Sequence, residues 1–236
     1  MMEFAQVAVA VLSLLSVAQS APVTDCETLT QTIDIKKDQL QGRWTIRAEA
    51  SDAPSAKTMM YLFVQSVWLN VTNNSTTDTI TIFQNQKMLS SCFTFRTTKT
   101  LKNNTLTMEQ PLPATDVLLR TSCPDCLVWY SKVSVGNSRF TSLDLLSRRG
   151  RVSAAEMEEF KKQASCLNLP SPSIMDPEEE YCPDPSESQD IIDLTDHIQS
   201  MSVDETKEWE EFLNSGTGLK MLIDMISKPF FAAGKD

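Results

Sequence analysis

The sequence predicts a mainly β protein, an antiparallel sandwich or closed barrel, followed by one amphipathic helix. Three observations carry this prediction. Between Gly42 and about Arg148, short segments rich in β-branched and aromatic residues recur at about ten-residue spacing. Within several of them apolar and polar residues alternate, as from Thr79 to Phe83, which is typical of half-buried antiparallel strands. After Arg151 the apolar spacing changes to that of a helix.

Four segments give the clearest strand signal, and polar sequences such as TNNSTT, KNN and VGNSR lie between the strands as turns. The segments are TMMYLFVQSVWLNV (58–71), DTITIFQNQ (78–86), SCFTFRTTKTL (91–101) and NTLTMEQ (104–110). Many short strands joined in this way fit either a sandwich or a barrel, and the strand pattern alone does not choose between them.

A Ser-x-x-Glu pattern at Ser153 marks the start of the predicted helix AAEMEEFKKQASCL. Its apolar face, which can pack on the sheet, is formed by Met157, Phe160, Ala164 and Leu167. The Pro-rich, acidic segment 171–190 predicts an extended strap. The tail, 191–236, predicts short amphipathic helices that could pack on the barrel, bind a partner or a lipid surface, or stay mobile.

The N-terminal residues predict secretion. The apolar segment FAQVAVAVLSLLSV (4–17) is followed by small residues, so residues 1–20 have the pattern of a cleaved signal peptide. A membrane anchor or a buried strand is the alternative, but the segment is shorter than the ~20 residues that span a bilayer. The net charge of −10 argues against a nucleic-acid partner, which would require a basic face.

Six cysteines and several N-glycosylation sequons agree with an extracellular location. An even number of cysteines behind a signal peptide predicts three disulfides, and the sequence alone leaves their pairing open. Zinc binding is the alternative, but His197 is the only histidine and only Cys123 and Cys126 have metal-like spacing. The predicted glycan acceptors are Asn70, Asn73, Asn74 and Asn103, of which the adjacent Asn73 and Asn74 cannot both be modified for steric reasons.

Two residues suggest how one end of a barrel would close. Trp44 lies in a Gly42-Arg43-Trp44 sequence near the start of the mature chain, and Arg148 follows the last predicted strand before the helix. A Trp can plug the end of a small barrel, and a guanidinium stacked on it would seal that end by cation–π attraction. The alternative is an ordinary core Trp and a solvated Arg cluster.

With these residues in place, the chain resembles the lipocalin family over about residues 26–184. GRWTI (42–46) resembles the first family motif, and LLSR (145–148) before the capped helix resembles the third. The second motif is not recognisable around residues 120–130. Within the family, the stretch 64–92 and SCP (122–124) are similar to the branch of alpha-1-acid glycoprotein, apolipoprotein M and the fish saxitoxin- and tetrodotoxin-binding proteins.

The resemblance implies an eight-stranded antiparallel up-and-down barrel with one C-terminal helix packed on it, in residues 21–184. Beyond it, residues 185–236 are expected to form a short helical or disordered acidic tail. It also implies the disulfides Cys26–Cys166 and Cys92–Cys182, which leaves Cys123 to pair with Cys126. A redox-active Cys-x-x-Cys is the alternative for that pair. Such motifs normally begin a helix, whereas this one lies between two strand-like segments.

Alternation along the strands then predicts the cavity wall. If Trp44 and Arg148 face inward at the closed end, so do Ile46, Ala48, Asp144 and Leu146. The resemblance adds further ligand-binding positions, with a bulge between Val64 and Val67: Tyr61, Val64, Val67, Leu69, Ile82, Gln84 and Met108. On the strand after Cys126 we favour Val128 and Tyr130 over Leu127 and Trp129 as inward residues.

Asp144 is the polar exception in this wall. A carboxylate inside a barrel must pair with a cation or take up a proton, because burying it unpaired is costly. Either Asp144 is hydrated near the mouth, or it selects cationic or guanidinium-bearing ligands, as the toxin-binding relatives suggest.

These features together predict a secreted monomer of a plasma-like fluid that reversibly binds, and transports or sequesters, a small lipophilic or amphipathic molecule, a class that includes cationic toxins and drugs. We expect no cofactor or metal, no nucleic-acid partner and no stable membrane insertion. One alternative is an enzyme using a barrel thiol, which would require an unpaired cysteine. Another is an immune-modulating, acute-phase-type glycoprotein that acts through its surface.

Overall fold

The computed structural model describes residues 25–73, 76–110, 112–185 and 191–215. The predicted signal peptide and Asn74 lie outside these residues, as does the last part of the tail. Among the described residues, no helix is long and apolar enough to cross a membrane.

Eight antiparallel strands close into an up-and-down barrel, as the resemblance implied. Each strand is hydrogen-bonded to the next along the chain, and the last returns to the first. In chain order after a short N-terminal strand, β1 (Thr32–Ile33), they are β2 (Gly42–Ser51), β3 (Val64–Asn73), β4 (Thr79–Met88), β5 (Ser91–Lys102), β6 (Thr105–Met108), β7 (Ala114–Leu119), β8 (Cys126–Val135) and β9 (Ser138–Ser147).

Six helices accompany the barrel in the described part of the chain: α1 (Cys26–Leu29), α2 (Lys37–Leu40), α3 (Ala56–Leu62), α4 (Ala154–Cys166), α5 (Thr195–Gln199) and α6 (Val203–Asn214). The predicted helix is α4, and both hydrogen bonds of its capping box, between Ser153 and Glu156, are present. Phe160 and Ala164 are buried in a cluster with Val128 and Leu145. The apolar face of α4 therefore packs on the outer surface of β8 and β9.

Trp44 and Arg148 meet at the closed end of the barrel. The guanidinium of Arg148 lies 4.0 Å from the centroid of the Trp44 ring and donates a hydrogen bond of 2.7 Å to the carbonyl of Gln41. The Trp44 Nε1 donates to the carbonyl of Leu40 at 2.7 Å. Gly42 has φ of +97°, and a Cβ there would lie 3.1 Å from Nη1 of Arg148, so the seal requires a glycine.

The three disulfides have the pairing that the resemblance implied: Cys26–Cys166, Cys92–Cys182 and Cys123–Cys126. The first joins α1 to the end of α4 across 140 residues of chain, and closing so long a loop adds at most about 5 kcal/mol in the chain-entropy model. The second fastens the strap to β5, and the third closes the turn between β7 and β8.

The strap after α4 adds to the barrel wall. Its strand β10 (Ser173–Ile174) pairs antiparallel with β2 at Ala48 and Glu49, above the part of β2 that pairs with β3. Next to it, the amide of Met175 donates to the carbonyl of Arg47 at 2.9 Å, and the Met175 side chain is buried in the interior cluster. The strap thus covers the place where β2 and β3 separate.

The described part of the tail also packs on the barrel. Strand β11 (Ile191–Asp193) runs parallel to the start of β5, which the short β6 does not reach. Helix α6 then lies at the open rim. The Glu210 carboxylate accepts hydrogen bonds from the amide of Asn137 at 3.0 Å and the hydroxyl of Ser138 at 2.7 Å, and the carbonyl of Leu213 accepts one from the amide of Ser55 at 3.2 Å.

Candidate functional site

The lower half of the barrel interior is an apolar floor. Its buried side chains come from seven of the eight barrel strands, and Leu101 of β5 packs against them as a partly buried neighbour. They include Ile46, Leu69, Val71, Ile80, Ile82, Leu106, Leu118, Leu127, Trp129 and Leu146. Such a floor offers a ligand dispersion contacts and no hydrogen bonds, so it suits the hydrocarbon part of a molecule.

The upper half is different because several of its inward side chains are polar and keep partial exposure. Strand alternation continues the inward face from Ile82 to Gln84 and Gln86 on β4, and from Lys99 to Thr97 on β5. Gln84, Gln86 and Thr97 are only half-buried, although they point into the barrel. Polar, partly exposed side chains therefore lie beside buried apolar ones such as Val64 and Val67 between the floor and the rim.

Two carboxylates face each other in this upper half. Glu49 on β2 is the direct cross-strand partner of Asp144 on β9, and Asp144 is in turn opposite the inward Trp129 on β8. Burial raises the pKa of Glu49 to about 7. Burial also raises the pKa of Asp144 well above its ordinary value, and the charges of Glu49 and Asp116 raise it further, while Lys99 acts in the opposite direction.

A third carboxylate, Asp116 on β7, is only 1% exposed and forms an ion pair with Lys99 of β5. The Lys99 Nζ also lies 5.6 Å from the centroid of the Trp129 ring. The second carboxylate oxygen of Asp116 is buried and has no hydrogen-bond partner among the described residues. One side of the interior thus carries a row of charged side chains together with one Trp ring, which we call the charged belt. It consists of Asp116, Lys99, Trp129, Asp144 and Glu49.

A β-bulge in β2 brings Glu49 into this belt. The register with β9 shifts between Ile46, opposite Leu146, and Ala48, opposite Leu145, so one extra residue is inserted in β2. Arg47 donates a hydrogen bond of 2.6 Å to the Tyr181 hydroxyl of the strap, on the outer surface. The prediction that Ala48 faces the cavity is therefore wrong: Ala48 is buried in the cluster under α4, and Glu49 faces inward instead.

Three further wall predictions are wrong. Tyr61 lies on α3 with 83% of its surface exposed, and its neighbour Met60 joins the interior cluster instead. Val128 and Tyr130 lie on the outer face of β8 in the cluster with α4, so the inward residues are Leu127 and Trp129, the option that we did not favour. Both faces of β8 are buried, so apolar and polar residues do not alternate along this part of the strand.

The other predicted wall residues lie on the inward face. Ile46, Val64, Val67, Leu69, Ile82 and Leu146 belong to the interior cluster, and strand alternation places Gln84, Met108 and Asp144 on the same side. The expected bulge between Val64 and Val67 is present as a register shift before Ser66. That these residues contact a ligand stays a prediction.

Sequence reasoning missed Glu49, Asp116 and Lys99. Asp116 could have been found, since it alternates with Leu118 along β7. Glu49 was hidden by the bulge. Lys99 was hidden because its strand is polar on both faces over residues 96–100.

Of the predicted glycan acceptors that the structure describes, Asn70 and Asn103 lie away from the interior, and Asn73 lies at the closed end opposite Ile80. Asn103 is exposed in the turn between β5 and β6, with φ of +49°. Asn73 donates to the Asp38 carboxylate at 3.0 Å at the end of β3, and Asn70 is half-buried on the same strand. Glycosylation of these positions stays a prediction.

Comparison with known proteins reveals similarity in structure but not in sequence. No protein-family model matches the chain, and no curated protein sequence matches it. The solved structure of the siderocalin Ex-FABP, described as functioning through dual ligand specificities, is 18% identical with a TM-score of 0.56, and the match covers 62% of this chain and 99% of that one.

The bovine lipocalin allergen Bos d 2 is 15% identical with a TM-score of 0.51, and the match covers 64% of this chain and all of that one (100%). The odorant-binding protein OBP1 is 15% identical with a TM-score of 0.49, over 58% of this chain and 90% of that one. At such identities the likeness shows the fold alone. The closed eight-stranded barrel, its flanking helix and the likeness to Ex-FABP and Bos d 2 together establish that the protein has the lipocalin fold.

Proposed function

We propose that the protein reversibly binds a small amphipathic molecule with one cationic group, and transports or sequesters it in an extracellular fluid. The observation that carries the proposal is the Glu49–Asp144 pair, which faces the barrel interior above an apolar floor. The hydrocarbon part of the ligand would lie on the floor, and its ammonium or guanidinium group would lie between the two carboxylates.

The electrostatics of the empty pair favour such a cation. Two carboxylates opposite each other in a partly buried site cannot both ionise at low cost: burial raises the pKa of Glu49 to about 7 and that of Asp144 well above its ordinary value, so at pH 7 Glu49 keeps its proton in about half of the molecules. A ligand cation would replace the protons and allow both groups to ionise. A neutral lipophile would gain contacts with the floor but nothing from the pair.

Binding without catalysis is supported by the pairing of the cysteines and by the position of the histidine. All six cysteines are paired in disulfides, so the barrel offers no thiol nucleophile. His197 lies on α5 in the tail, outside the barrel interior. Secretion is supported by the three disulfides together with the apolar N-terminal segment and the sequons.

A pair of probes that differ only in charge tests the proposal. N-octylguanidinium and N-octylurea have nearly the same shape, and isothermal titration calorimetry at pH 7 would give the Kd of each. We expect the wild-type protein to bind the guanidinium at least about tenfold more tightly, which corresponds to about 1.4 kcal/mol. The double variant Glu49→Gln/Asp144→Asn should lose this preference and keep its affinity for the urea.

Glu180→Gln is the matched control, because Glu180 is 86% exposed and paired with Lys87 on the outer surface. It should leave both affinities unchanged. Equal affinities of the wild-type protein for the two probes would contradict the selection of a cation. Failure of the barrel to bind either probe would instead favour a glycoprotein that acts through its surface.

A further inference from the structure

A second anionic position exists in the barrel, and a lysine of the chain already occupies it. Lys99 is opposite the inward Ile80 on β4, and its ammonium forms an ion pair with the Asp116 carboxylate. Only 12% of the Lys99 side chain and 1% of the Asp116 side chain are exposed. The ion pair is thus enclosed inside the barrel rather than solvated at its rim.

The groups around the Lys99 ammonium are the kind that would also bind an organic cation. A carboxylate lies on one side, and the face of the Trp129 ring lies at 5.6 Å on the other. Carboxylate and aromatic groups together are a common site for ammonium and guanidinium ions. No Lys or Arg within the described ranges forms an ion pair with Glu49 or Asp144, and Lys99, which is paired with Asp116, attracts Asp144 only from beyond ion-pair distance.

We infer that Lys99 is a specificity-determining residue that occupies one of two cation positions and so limits the barrel to ligands with a single cationic group. The inference rests on the proposed function. Asp116 on β7 and Asp144 on β9 are separated by one strand, so their backbones are about 10 Å apart. A ligand with two cationic groups on a short spacer could reach both carboxylates, but Lys99 blocks the second one.

Replacement of Lys99 by a neutral residue of similar length tests this inference. The probes are N-hexylguanidinium, with one charge, and 1,6-diguanidinohexane, with two, and the measured quantity is the ratio of their Kd values. The variant Lys99→Met should shift this ratio at least tenfold in favour of the dication. Lys132→Met is the control, since Lys132 lies on the outer face of β8 beside Tyr130 and should leave the ratio unchanged.

The reciprocal variant Asp116→Asn gives an independent measurement if Lys99→Met does not fold. It leaves the Lys99 ammonium without its carboxylate and free to neutralise Asp144. Binding of N-hexylguanidinium should then weaken at least tenfold, while binding of N-hexylurea stays the same. The double variant Lys99→Met/Asp116→Asn removes both charges, and its ratio should return to that of the wild-type protein.

An unchanged ratio in Lys99→Met, or unchanged hexylguanidinium binding in Asp116→Asn, would overturn the role of Lys99 while leaving the proposed function intact. A wild-type protein that binds no hexylguanidinium would contradict the proposed function as well. The two failures are therefore distinguishable in one set of titrations.

Discussion

The cross-strand pair of Glu49 and Asp144 is unusual in a barrel interior, because two carboxylates lie opposite each other above an apolar floor. Buried carboxylates destabilise a fold when they ionise, and the raised pKa of Glu49, about 7, shows the direction of that cost. The presence of two such carboxylates on adjacent strands is explained if they contribute to ligand binding rather than to folding. This cost has a measurable consequence for the pH dependence of stability.

We predict that stability falls as the pH rises from about 5 to above 7. The folded protein holds a proton on Glu49 up to a pH of about 7, whereas the unfolded chain loses it near 4.5, so the contribution is present at low pH and lost as the pH rises through 7. Glu49→Gln should flatten this dependence and stabilise the protein at pH 7.5 by at most about 3 kcal/mol. We expect the stabilisation to be smaller than this upper limit, because the Glu49 and Asp144 side chains both keep some contact with water.

Urea unfolding of the wild-type protein and of Glu49→Gln at pH 5, 6, 7 and 7.5 would measure this effect. The two proteins should differ least at pH 5, where Glu49 is protonated in the fold. Parallel stability curves for the two proteins across this range would contradict an uncompensated carboxylate at position 49.

At the scale of elements, the sequence predicted the parts of the fold that depend on local chemistry. The capping box at Ser153 locates the start of α4, and the stacking of Arg148 on Trp44 follows from where these residues fall relative to the strands. The bulge in β2 could not be predicted in this way. Arg47 is buried on the outer face of β2, where it donates a hydrogen bond to Tyr181 from far along the chain, and this contact accompanies the reversal of inward and outward residues from Ala48 onward.

The remaining errors have equally specific causes. On β8 both faces are buried, one by the interior and one by α4, so the run Leu127-Val128-Trp129-Tyr130 has no polar residue to indicate which face is which. Tyr61 was assigned to a strand, but residues Ala56–Leu62 form α3 at the rim, and tertiary packing of Met60 decides which side of that helix faces inward.

At the scale of the whole molecule, the strap and tail complete a barrel whose own strands differ in length. Strand β6 has four residues and β7 has six, whereas β5 has 12. The tail strand β11 pairs with the part of β5 beyond β6, and α6 holds the rim at the turn between β8 and β9. The tail is thus part of the barrel rim, and its contact with Gly136 in that turn can be tested.

We predict that Gly136→Ala weakens the docking of α6. Gly136 has φ of +60°, and a Cβ there would overlap the carboxylate of Glu210. Hydrogen exchange of the amides of α6 should become faster, while exchange in β4 on the opposite side stays the same. Gly150→Ala is the matched control, because a Cβ at Gly150 would meet nothing within 4 Å. Unchanged protection of α6 in Gly136→Ala would contradict the observed packing of Glu210 on the turn.

The most direct test of the central claim is the number of protons released when a cation binds. At pH 7 Glu49 of the empty pair is protonated in about half of the molecules, because burial raises its pKa to about 7. Titration calorimetry of N-octylguanidinium in buffers of different ionisation enthalpy counts the protons that leave. We predict a release of at least about half a proton per ligand from the wild-type protein and none from Glu49→Gln/Asp144→Asn. Tight binding without proton release, or equal release from both proteins, would show that the cation does not lie between these two carboxylates.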